Sequence, residues 1–419
     1  MDFSLSPRAT EITERVRAFM RTEIEPVEEA YHREVEQLRD RGGDVWTPRP
    51  VIKKLQSKAR AEGLWNLFLP EQHAGPYAQQ FGTHGGRGLS NVDYASVAEL
   101  TGRSYLAPLV FNCNAPDTGN MEVLLRYGTD RQRKEWLEPL LDAQIRSAFC
   151  MTEPGVASSD ATNMAATAVL DGEEFVINGR KWWSSGVGNP ECKILLFMGL
   201  SYPDAARHAR HTMVLVPRET PGVKVERMLK AMGSYDEPIG HGDVSFTDVR
   251  VPAANALLGP GRAYEIAQGR LGPGRVHHCM RLIGLAEVAL ESALRRATSR
   301  VAFGKPIVNL GGNRERIADA RIAINQARLL VLQAAWLLDT QDPASVSAVS
   351  QIKVAVPTMA QQVIDMAIQL HGGGGLSGDF PLAVAWTHAR SLRLADGPDE
   401  VHRGVVARHE LSKYAGAPA

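Results

Sequence analysis

Several short stretches carry side chains suited to chemistry, and they are widely spaced along the 419-residue chain. The last of them holds Asp396, followed by Gly397-Pro398 and then Asp399 and Glu400. A carboxylate on a Gly-Pro turn can serve as a general base when the fold shields it. It can equally cap the helix that follows. Cys150-Met151-Thr152-Glu153-Pro154-Gly155, continued by Ser158-Ser159-Asp160, offers hydroxyls and backbone amides to a polar ring edge or a carbonyl. The same residues also read as a Pro/Gly turn with capping side chains. Lys181-Trp182-Trp183-Ser184-Ser185-Gly186 places two indoles in a strand, where alternation predicts one ring per face, one for the core and one able to stack on a flat ligand. Arg300-Val301-Ala302-Phe303-Gly304-Lys305 closes a helix with cations at its negative end. Gln369-Leu370-His371 runs into Gly372 to Gly375, more glycine than a helix end requires. Such a stretch admits a close approach to phosphate or ribose, or is a flexible loop. Arg275, His277, His278 and Arg281 crowd a helix start, as a solvated face or a site for an anion.

Three regions of different periodicity must position these residues. Residues 1–148 read as helical: Ile12, Val16 and Phe19 share a face, and Val92 to Leu100 and Met121 to Tyr127 repeat the pattern. Gly82 to Gly88 reads as the loop between them. Residues 149–260 read as β. Thr167-Ala168-Val169-Leu170 and Phe175-Val176-Ile177 flank a Gly172 turn, and Ile194–Met198, Met213–Val216 and Val244–Phe246 add short runs. Residues 261–419 return to long amphipathic helices, with a kink or boundary expected at Pro357 and two further helices at Val384–Leu394 and Glu400–Leu411. The expected class is α+β, mostly α: an N-terminal helical region, a small antiparallel barrel or sandwich in the middle, and an antiparallel helical bundle at the end.

Lys plus Arg equals Asp plus Glu at 47 each, a balance ill suited to neutralising many phosphates, so nucleic acid is not an expected partner. The charged residues of the first turns interrupt any secretory signal, and no run of eighteen apolar residues predicts a membrane span. Cys113, Cys150, Cys192 and Cys279 form no CxxC pair, so no metal site is expected and a reducing, cytoplasmic setting fits.

In this order and spacing the motifs resemble the acyl-CoA dehydrogenase family across essentially the whole chain. Met-Thr-Glu-Pro-Gly followed by Ser-Asp resembles its first signature, and Lys181 to Ser185 its Lys-x-Trp-x-Thr/Ser flavin strand. Arg300-x-x-Phe303-Gly304-Lys305 and Gln369-x-x-Gly372-Gly373 resemble two more. Asn114 to Met121, Ala157 to Asn163 and Ala395 to His402 are similar to the branch found in animal fusions with an aminoglycoside-phosphotransferase-like kinase domain. The resemblance implies an N-terminal helical domain, a middle antiparallel β-barrel domain and a C-terminal four-helix bundle, in an FAD-dependent oxidoreductase of lipid metabolism that converts an acyl-CoA to the trans-2-enoyl-CoA. Asp396 would take the α-proton, flavin N5 the β-hydride, and an electron-transfer flavoprotein the electrons. By position, Met151, Thr152, Trp183 and Ser185 would hold the flavin ring. Ser158 or Ser159 would lie beside the thioester or pantetheine, and Arg275 would line the substrate cavity. Arg300, Phe303, Gln369, Gly372 and Gly373 would reach the flavin diphosphate and adenosine across a subunit interface, in a homotetramer or homodimer. Alternatives on this fold are action on 4-phosphoacyl-CoA, an acyl-CoA oxidase, and a non-catalytic acyl-CoA-binding subunit.

The chain departs from the family at the base. Fifteen residues after Pro381, where relatives most often have Glu-Gly-Thr, it has Asp396-Gly397-Pro398. The shorter side chain reaches about 1.5 Å less far. Pro398 also replaces a hydroxyl that contacts the flavin in relatives, and Gly311 stands where many have glutamine.

Overall fold

The computed structural model describes residues 3–82 and 88–414; most of the glycine-rich loop expected at 82–88 lies outside the described residues. The chain folds as two compact units, one made of Met1–Met20, Leu89–Pro108 and Arg275–Ala419, the other of Arg21–Gly88 and Leu109–Gly274.

The first unit is helical. Its opening helix, Pro7–Phe19, starts where the Ser6 side chain accepts the Ala9 N–H, and it buries Ile12, Val16 and Phe19 as their spacing requires. A second short helix, Asn91–Thr101, packs with it and with the long Asn313–Asp339 helix. The latter is followed by Ser345–His371, Leu382–Ser391 and Asp399–Ser412. Pro357 neither ends nor divides the Ser345–His371 helix. Ile352, Val356, Met359, Ala360 and Val363 are buried on both sides of it, and that packing outweighs the one missing hydrogen bond. Arg328 bridges Glu99 and Glu287 with contacts of 2.6–2.9 Å, tying the Asn91–Thr101 helix to Asn313–Asp339 and to the long helix Ala263–Ser299. Residues 275–281 lie in the interior of that long helix, not at its start.

In the second unit a seven-stranded sheet carries the core. Its strands are β1 (Arg146–Cys150), β2 (Thr167–Asp171), β3 (Glu174–Ser185), β4 (Cys192–Leu200), β5 (His211–Pro217), β6 (Val223–Leu229) and β7 (His241–Pro252). They run in the order β1-β4-β2-β3-β7-β6, with β5 beside β4. Pairing is antiparallel except where β1 and the first residue of β2 run parallel to β4. Phe175, Ile177, Leu195, Phe197, Val214, Val244 and Phe246 meet beneath the sheet. The hairpin turns at Gly172, φ +61°, as its position between two apolar runs requires. Two strands lack a signal in the sequence: β1 is a buried run at the end of a helical stretch, and β6 breaks its short apolar run with Lys224, Glu226 and Arg227 because only one face meets the core.

Two helices of the first unit touch backbone to backbone. A Cβ on Gly284 would lie 1.9 Å from the Glu99 carbonyl oxygen, and one on Gly102 would lie 2.0 Å from that of Arg281. The Gly284→Ala variant is therefore expected to lose about 1–3 kcal/mol of stability, the usual range for overpacking. Denaturant unfolding checks this, and an unchanged midpoint would show that the helices are free to separate.

Candidate active site

The loop after β1 is fastened to β3 by a buried ion pair. Lys181, with no exposure, places Nζ 2.6 Å from Glu153 Oε1 and 3.0 Å from the Met151 carbonyl. Glu153 also accepts the Ala165 and Ala166 N–H groups at 2.9 and 3.0 Å. Ser158 Oγ accepts the Glu153 N–H at 2.8 Å, and Trp182 N–H donates to the Thr152 carbonyl at 2.9 Å. Burial pulls the Lys181 pKa below its ordinary value, and the Glu153 charge opposes that. Met151, Thr152, Ser158 and the tryptophan strand are thereby brought together, while Ser159 on the same loop is exposed.

The expected alternation of the indoles is not observed. The β3–β7 register slips between Lys181 and Ser184, and Trp183 takes φ +53°. Lys181 and Ser184 both point inward, three residues apart. The Trp182 and Trp183 rings meet edge to face, centroids 6.2 Å apart, and Trp183 is 40% exposed. Ser185 Oγ lies 2.8 Å from His241 Nδ1.

In the helical unit, Asp396 sits at φ +57° on the turn between the last two helices. It does not cap the final helix, whose N-cap is Pro398 with no side-chain cap. Its loop is gripped from three helices through main-chain carbonyls. Lys353, 1% exposed, donates to Leu392 O at 2.5 Å and Ala395 O at 2.7 Å. Arg275 Nε donates to Asp396 O at 3.0 Å, and His402 Nε2 lies 3.2 Å from the same oxygen. His278 Nε2 stands 3.3 Å from the Asp396 carboxylate. Burial lowers the Lys353 pKa and pushes His278 and His402 down to about 4, so both rings are neutral at pH 7.

The four basic residues at 275–281 do not form one open face. Arg275 holds the Asp396 loop, and an Arg281 nitrogen lies 3.2 Å from His278 Nδ1. His277 is buried edge-on against Tyr94, with burial pushing its pKa down to about 3. Lys353 and His241 carry no signal in the sequence, where each sits singly in a helix or strand, and His402 stands within the Ala395 to His402 segment without a role of its own. At the end of the bundle, Ser292 Oγ and His371 Nε2 are 3.1 Å apart, joining the helices that lead into the two remaining motifs. Arg300, Gln369, Gly372 and Gly373 are exposed there, and Phe303, φ +49°, is 94% exposed.

Residues 6–144, 148–249 and 261–411 match, in that order, the N-terminal, middle and C-terminal domains of acyl-CoA dehydrogenase. The chain is 51% identical over 412 residues to acyl-CoA dehydrogenase family member 10 of Mus musculus, covering 98% of this chain and 38% of that protein. It is 49% identical over 415 residues to family member 11 of Gallus gallus, covering 98% and 51%. The chain thus spans about half or less of the length of these relatives. A solved structure of a candidate acyl-CoA dehydrogenase from Mycobacterium abscessus is 66% identical, with a TM-score of 0.93 over 98% of this chain and 100% of that one.

Two outcomes follow from the buried charges. Lys181→Met leaves Glu153 buried without its cation and is expected to cost about 3–5 kcal/mol, with partial recovery on adding Glu153→Gln; urea midpoints of both variants decide it. His277 has its pKa depressed in the fold, so its contribution is complete above the ordinary value near 6.5 and is lost as pH falls from there towards about 3. The slope of stability against pH within that window should fall by about 1.4 kcal/mol per pH unit in His277→Phe. An identical slope in variant and wild type would refute it.

Proposed function

The chain belongs to the acyl-CoA dehydrogenase family, and from that premise we propose that it carries out FAD-dependent α,β-dehydrogenation of an acyl-CoA thioester, with Asp396 as the base. The observation that carries this reading is the grip on the Asp396 loop. Three buried or half-buried side chains, Lys353, Arg275 and His402, bond main-chain carbonyls at 392–396 and so hold a left-handed aspartate at the tip of a turn. A loop that merely connected two helices would have no need of this.

The residues present fit the cofactor. A flavin ring calls for a flat face and a hydrogen-bonding edge; Trp183 offers an exposed indole, Ser185 a hydroxyl, and Thr152 lies on the loop bonded to the same strand. The buried Trp182 Nε1 has no hydrogen-bond partner. A Cβ on Gly372 or Gly373 would meet nothing within 4 Å, leaving room for a diphosphate beside the backbone. When bound, FAD supplies the hydride acceptor, and the protein supplies position and field. Asp396 takes the proton from the carbon next to the thioester carbonyl, with the neutral His278 ring 3.3 Å from its carboxylate. Arg275, His402 and Lys353 keep the loop from relaxing, which matters more for the shorter aspartate than for a glutamate.

The nearly fully exposed Phe303 supports a second copy covering it, as a homodimer or homotetramer, and an electron-transfer flavoprotein is the proposed acceptor. The three proposed domains run over residues 1–148, 149–260 and 261–419. Among the described residues, no helix is long and apolar enough to cross a membrane.

Asp396→Asn keeps the loop bonds and removes the base. It should retain FAD and slow anaerobic bleaching of the flavin by acyl-CoA by roughly 10²–10⁴-fold. Bleaching at the wild-type rate would dismiss Asp396 from the role.

A further inference from the structure

Ser185 and His241 are direct partners in the β3–β7 ladder, so their side chains meet by register, Ser185 Oγ 2.8 Å from His241 Nδ1. The other ring nitrogen, Nε2, faces Asp236, whose Oδ2 is 3.6 Å away. That is too long for a hydrogen bond. A carboxylate at that range still favours a proton on the nearer nitrogen. The Trp183 ring lies tilted over the imidazole at 5.4 Å, and the charge that acts on the ring is that of Asp236. Burial disfavours the doubly protonated ring and keeps its pKa below the ordinary value. A neutral imidazole with its hydrogen on Nε2 has only a lone pair at Nδ1. The Ser185 hydroxyl hydrogen is drawn to that lone pair, and the remaining side of Oγ is an acceptor.

We propose that Asp236 and His241 are positioning residues that fix the Ser185 hydroxyl as a hydrogen-bond acceptor toward the cofactor ring, favouring the reduced form. This rests on the place of Ser185 beside the flavin ring in the proposed function. A reduced ring carries hydrogen on the nitrogen that has received hydride, and an acceptor matches it. The oxidised ring has a lone pair at that nitrogen, and an acceptor opposes it. Without His241 the hydroxyl is free to turn and donate to the oxidised ring, so the preference disappears. Without the Asp236 charge, the imidazole hydrogen can shift to Nδ1 with the same result.

The first test needs no variant and no cofactor. Nitrogen-15 NMR of the histidine-labelled, flavin-free wild type should report His241 as the Nε2–H tautomer at neutral pH, and an Nδ1–H ring overturns the proposal. The second is potentiometry of the FAD-loaded protein. His241→Phe and Asp236→Asn should each lower the reduced-to-oxidised ratio at a fixed potential about tenfold, about 30 mV for a two-electron couple. Neither should have a further effect in a Ser185→Ala background. Unchanged potentials in both single variants, with a shifted potential in Ser185→Ala, overturn the relay and leave Ser185 at the flavin. A Ser185→Ala variant with wild-type flavin affinity, spectrum and potential removes Ser185 from the ring, and the proposal with it.

Discussion

An ammonium group removed from water must be surrounded by oxygen, and this requirement organises the residues proposed for chemistry. Lys181 is enclosed by Glu153 and the Met151 carbonyl, and that enclosure holds the 151–158 loop against β3. Two charges so placed lose hydration worth several kcal/mol each. Their arrangement persists because every partner is in place: two backbone amides complete the Glu153 carboxylate, and a carbonyl completes the ammonium. Lys353 repeats the device in the helical unit with carbonyls alone, at Leu392 and Ala395. In both cases the lysine removes the freedom of a loop that carries residues proposed for the site.

The backbone at three candidate residues is left-handed: Trp183 at φ +53°, Phe303 at φ +49° and Asp396 at φ +57°. Non-glycine residues in this region cost on the order of 1–3 kcal/mol at strained sites, and they persist where surrounding contacts over-determine them. At Trp183 the determinant is the bulge that turns both Lys181 and Ser184 inward, which leaves the indole outside. At Asp396 it is the three-way grip on the carbonyls. The strain re-aims a side chain that regular geometry would have directed elsewhere.

The two imidazoles nearest Asp396 are neutral, while the charges of Lys353 and Arg275 act on it from the loop they grip. Lysine and arginine bond main-chain oxygens of its loop, and the two nearest imidazoles, His278 and His402, are held neutral by burial. A protonated ring 3.3 Å from the carboxylate would stabilise its anion and weaken it as a base. Burial of the histidines thus serves the proposed proton transfer as well as the packing.

Periodicity alone revealed the helical, β, helical order of the chain, because burying an apolar face imposes a repeat of about 3.6 or 2 residues wherever it occurs. Ile12, Val16 and Phe19 and the 167–177 hairpin were legible for that reason. The motifs that carry the family resemblance were also legible, being contiguous. What the sequence could not disclose is every contact made between distant residues: Lys353 with Ala395, Ser185 with His241, Lys181 with Glu153 as a closed pair. It likewise misled on the two tryptophans, where a register slip overrode alternation; at Pro357, where the sequence predicts a kink or a boundary, packing carried the helix through and there is no boundary. These outcomes depend on register and on competition between local preference and burial, and only the folded chain resolves that competition.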